Sequence, residues 1–156
     1  MKTEKNINIS ISVIEENRKL PVKMETLYRA TIVAFQLTSK KPGDVSLVVC
    51  DDKYISNLNE RYLHRQVPTD VISFPMREGE FHHISDCLLG DIVISVETAE
   101  KQAVEYGSTL EEEFIFLYIH GLLHLLGYTH GTPSRAKEMN EYSRKILTFI
   151  SPGKVN

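Results

Sequence analysis

A chain of 156 residues with 42% hydrophobic and 25% charged content suits a single soluble domain that buries a core without disulfide support. Its formal net charge of -3 argues against a protein that coats nucleic acid over a broad face and leaves room only for a local basic groove. No apolar run reaches the ~18 residues of a membrane span, since the longest, residues 114–126, is shorter and carries two histidines, so no membrane partner is expected.

The opening MKTEKNINIS lacks the apolar block of a signal peptide, which points to the cytoplasm. In that compartment Cys50 and Cys87, isolated in apolar surroundings, read as reduced buried thiols, with a disulfide between them the lesser alternative. There is no repeat, low-complexity tract or Pro/Gly-rich linker, so residues 1–156 form one domain. Along residues 7–13, Ile7, Ile9, Ile11 and Val13 alternate with Asn8, Ser10 and Ser12, the period of a half-buried strand. After Pro21, residues Met24, Leu27, Thr31, Ala34 and Phe35 recur at helical spacing to about Leu37. KKPGD, with Lys40 and Lys41 as solvated charges, makes a turn before a buried strand over 45–50. Asp51 or Asp52 then caps a helix of about 53–63. Residues 71–74, stopped by Pro75, form a third strand. Polar residues 77–87 form a loop in which His82 and His83 face solvent, and residues 89–95 form a fourth strand.

A helix over about 96–105 ends near Gly107, and Ser108 with Glu111 reads as the capping box of the next. That next helix is apolar nearly all round, so it is expected at the centre, ~19 residues and about 28 Å long. Thr132-Pro133 starts a last helix whose inner face carries Ala136, Met139, Tyr142, Ile146 and Phe149. Met139 at that spacing reads as core. The order β-α-β-α-β-β-α-α-α predicts an α+β fold, close to an α/β sandwich. It has a small, roughly four-stranded mixed sheet, with helices around the central buried one.

Three of the six histidines lie in HGLLHLLGYTH, residues 120–130. His120 and His124 are four apart on a helix and leave the same face, close enough for both imidazoles to meet one ion. Gly127 can end the helix in a positive-φ turn, and the reversal returns His130 as a third ligand. Three protein ligands leave one coordination position open, the arrangement of catalytic zinc. Three imidazoles suit Zn²⁺ best, with Ni²⁺, Co²⁺ and Cu²⁺ also able to bind. The spacing is that of the metzincin proteases, HExxHxxGxxH, but Gly121 stands where their general-base glutamate would be. Glu111, Glu112 and Glu113 lie two turns or more away, so the protease reading lacks its base.

HGLLHLLGYTH resembles HGxLHLxGYDH, the signature of the YbeY family of bacterial endoribonucleases. LNERY (residues 58–62), PTDVISFP (68–75) and LGDIVIS (89–95) resemble that family's LNxxYR, PTDVLSFP and LGDIVIS in the same chain order. The resemblance implies a zinc-like metal on His120, His124 and His130. It also implies single-strand-acting cleavage of ribosomal RNA in small-subunit maturation and ribosome quality control, with the small subunit or its assembly proteins as partners. Two positions depart from the pattern: Thr129 replaces an aspartate and Leu63 an arginine that would meet phosphate. Arg61 or Arg65 can stand in for that cation, and Arg61, His64 and Arg65 together form the local basic patch that best suits RNA, or else a solvated helix face.

The general base stays unassigned. Thr69, Asp70 and Ser73 are weak catalytic candidates, with turn, cap and strand hydrogen bonds as their plainer roles. Asp91, unusual in an apolar strand, is expected to pair with backbone or an arginine. The alternative to a nuclease is a metal-stabilised ribosome-assembly factor that binds RNA or protein with little turnover.

Overall fold

A computed structural model describes residues 7–14, 19–63, 70–76 and 88–151. Alternation along β1 (Ile9–Val13) turns Ile9, Ile11 and Val13 toward the main core and leaves Ser10 and Ser12 exposed. β1 runs parallel to β2 (Asp44–Cys50), which runs parallel to β4 (Leu88–Ser95), and β3 (Val71–Pro75) closes the far edge antiparallel to β4. The order β1-β2-β4-β3 makes a four-stranded mixed sheet, as the element order implied. Helices α1 (Met24–Thr38), α4 (Leu110–Leu125) and α5 (Pro133–Ile150) pack with one face of it. The other face meets α2 (Asp52–Leu63), where Ile55 packs with Cys50, Ile72 and Val93.

Helix α3 (Val96–Tyr106) leaves the end of β4, capped by Ser95. Asp51 proves to be the cap of α2, its Oδ1 accepting the Tyr54 N–H at 2.8 Å. Asp52 ties α2 to α3 instead, accepting from Ser95 Oγ at 2.6 Å, Thr98 Oγ1 at 2.5 Å and Lys101 Nζ at 3.0 Å. Although burial opposes its charge, these donors hold the Asp52 carboxyl below its usual range. Cys50 is a buried free thiol, pushed up to about 12 by burial and then by Asp51, Asp52 and Glu97.

α4 is the central helix, buried on most of its circumference. Its Tyr118 hydroxyl meets Thr31 Oγ1 of α1 at 2.7 Å, and Thr31 in turn donates to the Leu27 carbonyl. The only hydroxyl proton of Thr31 is thereby used, so Tyr118 is the donor between the two helices.

Several boundaries differ from expectation for identifiable reasons. The capping box is Thr109 with Glu112, not Ser108 with Glu111. Ser108 is committed to closing α3, its N–H donating to Ala103 at 2.8 Å behind Gly107 at φ 70°. α4 is accordingly shorter than expected, at 16 residues. On α5, Ser143 and Ile150 are buried while Phe149 is 58% exposed, because α5 turns a narrower stripe inward than the apolar pattern suggests. Asp91 was expected to be paired. It sits half-buried on the α2 face, opposite Ser46 and Phe74, and its side chain makes no hydrogen bond or ion pair among the described residues. Residues 77–87, with His82, His83 and Cys87, lie outside the described residues.

Candidate metal centre

His120 and His124 project one turn apart from α4, where burial is only partial. Beyond them the helix ends in two hydrogen bonds, Tyr128 N–H to Leu123 O and Gly127 N–H to His124 O, both 3.0 Å. This closure places Gly127 at φ 101°, a conformation that side-chain-bearing residues rarely adopt. The chain therefore reverses and brings the exposed His130 back to the other two. Thr129, in place of the family aspartate, keeps a local role: its Oγ1 accepts the Gly131 N–H at 2.7 Å and fixes the turn around His130. Lys40 does more than sit in a solvated turn, since its Nζ stands 5.4 Å over the Tyr128 ring beside this turn.

The three imidazoles converge. One ligand atom from each lies within 4.8 Å of the others, and the Nε2 atoms of His120 and His124 are 3.2 Å apart. Two nitrogens bound tetrahedrally at 2.0–2.1 Å from zinc are about 3.3 Å apart, so that pair already has the required spacing. Burial, then His124 and His130, holds the His120 imidazole down at about 4, against a partial opposing pull from Asp70. Burial also lowers His124. Neutral imidazoles keep a lone pair free for a metal, so the donor set fits a divalent ion.

Gly121 faces the sheet, away from the ligands' open side. A Cβ there would stand 2.8 Å from Ile92 Cγ2 and 3.2 Å from both Ser73 Oγ and Val71 Cγ2. The position that carries a general base in metzincins is thus a packing contact here, and no side chain fits. Ser73 is spent on the same contact, donating from Oγ to the Gly121 carbonyl at 3.0 Å. Asp70 behaves differently. Its Oδ1 accepts the Val71 N–H at 2.8 Å, its Oδ2 accepts Gln102 Nε2 at 3.2 Å, and its charge reaches both His120 and Glu113.

Thr69, His64 and Arg65 lie outside the described residues, as does the side chain of Leu63. Arg61 is exposed on α2, across the sheet from α4. Two neighbours of the site were missed in the sequence. Gln102 reaches it from α3 through a contact that no local pattern signals. Phe116, one turn before His120, lies in the apolar stretch expected at the centre and was not singled out; its ring centroid lies 6.2 Å from that of His120.

Against this geometry, the profile of the family described as Endoribonuclease YbeY matches residues 5–151. The chain belongs to the YbeY family. An Endoribonuclease YbeY of Syntrophus aciditrophicus is 38% identical over 92% of this chain and 91% of its own length. That of Syntrophotalea carbinolica is 41% identical over 91% and 95%. The solution structure of TM1509 from Thermotoga maritima superposes with a TM-score of 0.60 at 25% identity, over 93% of this chain and 90% of its own. The YbeY resemblance of the histidine, PTDVISFP and LGDIVIS segments is thereby borne out, and with it the nuclease class over the protease. The YbeY assignment also fits metal dependence, with the histidine triad as a group able to hold an ion.

Proposed function

We propose that this chain is a zinc-dependent endoribonuclease that cuts single-stranded RNA at a centre formed by His120, His124 and His130, with small-subunit ribosomal RNA as its substrate. The convergence of three imidazoles, two of them, His120 and His124, kept neutral by burial, carries the reading. Family membership supplies RNA as the substrate class, and the cysteine-free ligand set favours zinc.

His120, His124 and His130 would hold the divalent ion, which would supply Lewis acidity toward a phosphodiester and lower the pKa of a bound water. The chain's own residues do the rest. Tight packing at Gly121 keeps the ligand edge of α4 fixed against β3, which holds the imidazoles at constant separation. The Gly127 turn delivers His130. Asp70, anchored by Val71 N–H and Gln102, keeps a negative charge near His120, and its carboxylate is the acceptor we assign to the proton lost by the nucleophile. Among the described residues no helix is long and apolar enough to cross a membrane.

Incubating ribosomal RNA with wild type, wild type plus chelator, and His124→Ala tests the reading. Cleavage by untreated wild type alone is expected. If RNA survives all three while each wild-type chain carries one ion, the protein is a metal-stabilised assembly factor instead. Product ends identify the nucleophile, since 2′,3′-cyclic phosphates would assign it to the substrate's own hydroxyl.

A further inference from the structure

An enzyme that cuts inside a strand must hold nucleotides on both sides of the bond, so a track has to lead away from the metal centre. A groove of about 880 Å³ lies between the first half of α4 and the second half of α5. It begins one helical turn from the ligands, at Phe116, whose ring is tilted 36° against His120. It ends at the α3–α4 corner with Tyr106. Phe116 is 38% exposed and Tyr106 67%, so neither ring is absorbed by the core. Between them stand Arg144, which makes no ion pair among the described residues, and the Ser108 hydroxyl, buried without a hydrogen-bond partner. An unpartnered buried hydroxyl carries a desolvation cost that a ligand group can relieve.

We propose that this groove holds a short stretch of the single-stranded RNA substrate on one side of the scissile bond, with Phe116 and Tyr106 stacking on bases and Arg144 pairing a phosphate. The inference rests on the endoribonuclease reading. Stacking on exposed rings beside a cation is the chemistry of sequence-tolerant single-strand binding. Two acids share the wall: Glu112 accepts the Thr109 N–H at 2.9 Å, and burial, then the charge of Asp70, raises the Glu113 carboxyl. Ser108 adds a hydrogen bond to sugar or base, which an apolar protein segment would leave unmade.

Fluorescence anisotropy with labelled oligoribonucleotides of about 4 to 16 nucleotides tests this, using the His124→Ala chain so that binding is read without cleavage. Affinity is expected to rise with length. Phe116→Ala and Tyr106→Ala should each weaken the longer oligonucleotides about tenfold. Arg144→Ala should reduce the slope of log affinity against log salt by about 0.7, with Arg144→Lys restoring it. Phe116→Leu keeps the packing volume without the ring and guards against a folding artefact, and melting temperatures of all variants should match the parent's. Parental affinity and salt slope in every folded variant would overturn the proposal and give the groove to a protein partner. The two readings fail separately: RNA binding through the groove without wild-type cleavage would remove the nuclease and keep the groove.

Discussion

His120 refuses a proton in the folded chain at pH values where the unfolded chain binds one. Its folded value is about 4, against 6.5 in the open chain, with burial as the main cause. Between these values the unfolded state holds more protons, so stability rises with pH. Metal-free protein should therefore be most stable above pH 6.5 and lose stability progressively as the pH falls toward 4. Urea unfolding across that window should show the slope, and His120→Asn should flatten it. Asp70 governs chemistry on the present assignment. Asp70→Asn should lower kcat by about 10²–10⁴-fold while metal content stays at the wild-type level. An unchanged kcat would return the base to the unassigned residues. Gly121→Ala forces a methyl to 2.8 Å from Ile92 Cγ2, so chemical denaturation should register a loss of about 1–3 kcal/mol.

Helix ends decide where the side chains of the site go. Thr109 and Glu112 cap α4 reciprocally, while Ser108 only closes α3. Thr109→Ala should cost about 1 kcal/mol in urea and Ser108→Ala markedly less, which would locate the cap in solution. At the other end, Gly127→Ala places a side chain at φ 101° and should cost about 1–2 kcal/mol. It should also weaken metal binding by re-aiming His130, a loss that isothermal titration would record. These two ends show why the convergence of the three histidines was legible in the sequence and the cap was not. His120, His124, Gly127 and His130 encode their geometry within one helical period and one turn. Ser108 and Thr109 are chemically near-equivalent caps, and the choice between them depends on how α3 terminates.

Across the molecule, legibility followed the same division between local and distant contacts. Strand and helix identities came from periods of two and 3.6, and the mixed sheet follows from the element order. The pairing of β2 with β4 and the placement of β3 at the edge join segments far apart in sequence, and no local pattern specified them. Asp70 and Gln102 meet across 32 residues for the same reason, so the site's anchored carboxylate stayed a weak candidate and its partner went unnoticed. Metal removal acts at this scale. An ion at about 100 times its dissociation constant stabilises the native state by up to about 2.7 kcal/mol, so chelation should lower the melting temperature, and His124→Ala should abolish the chelator's effect.

The three histidines proposed as ligands fall within eleven residues, 120–130, of a single helix and turn. Bringing them together closes only a short loop, which costs little chain entropy even when the rest of the protein is unfolded. The denatured chain therefore keeps part of its grip on the ion. Metal should raise the unfolding midpoint by less than its native-state affinity implies, and a cation present during refolding should organise the end of α4 ahead of the sheet it later packs against.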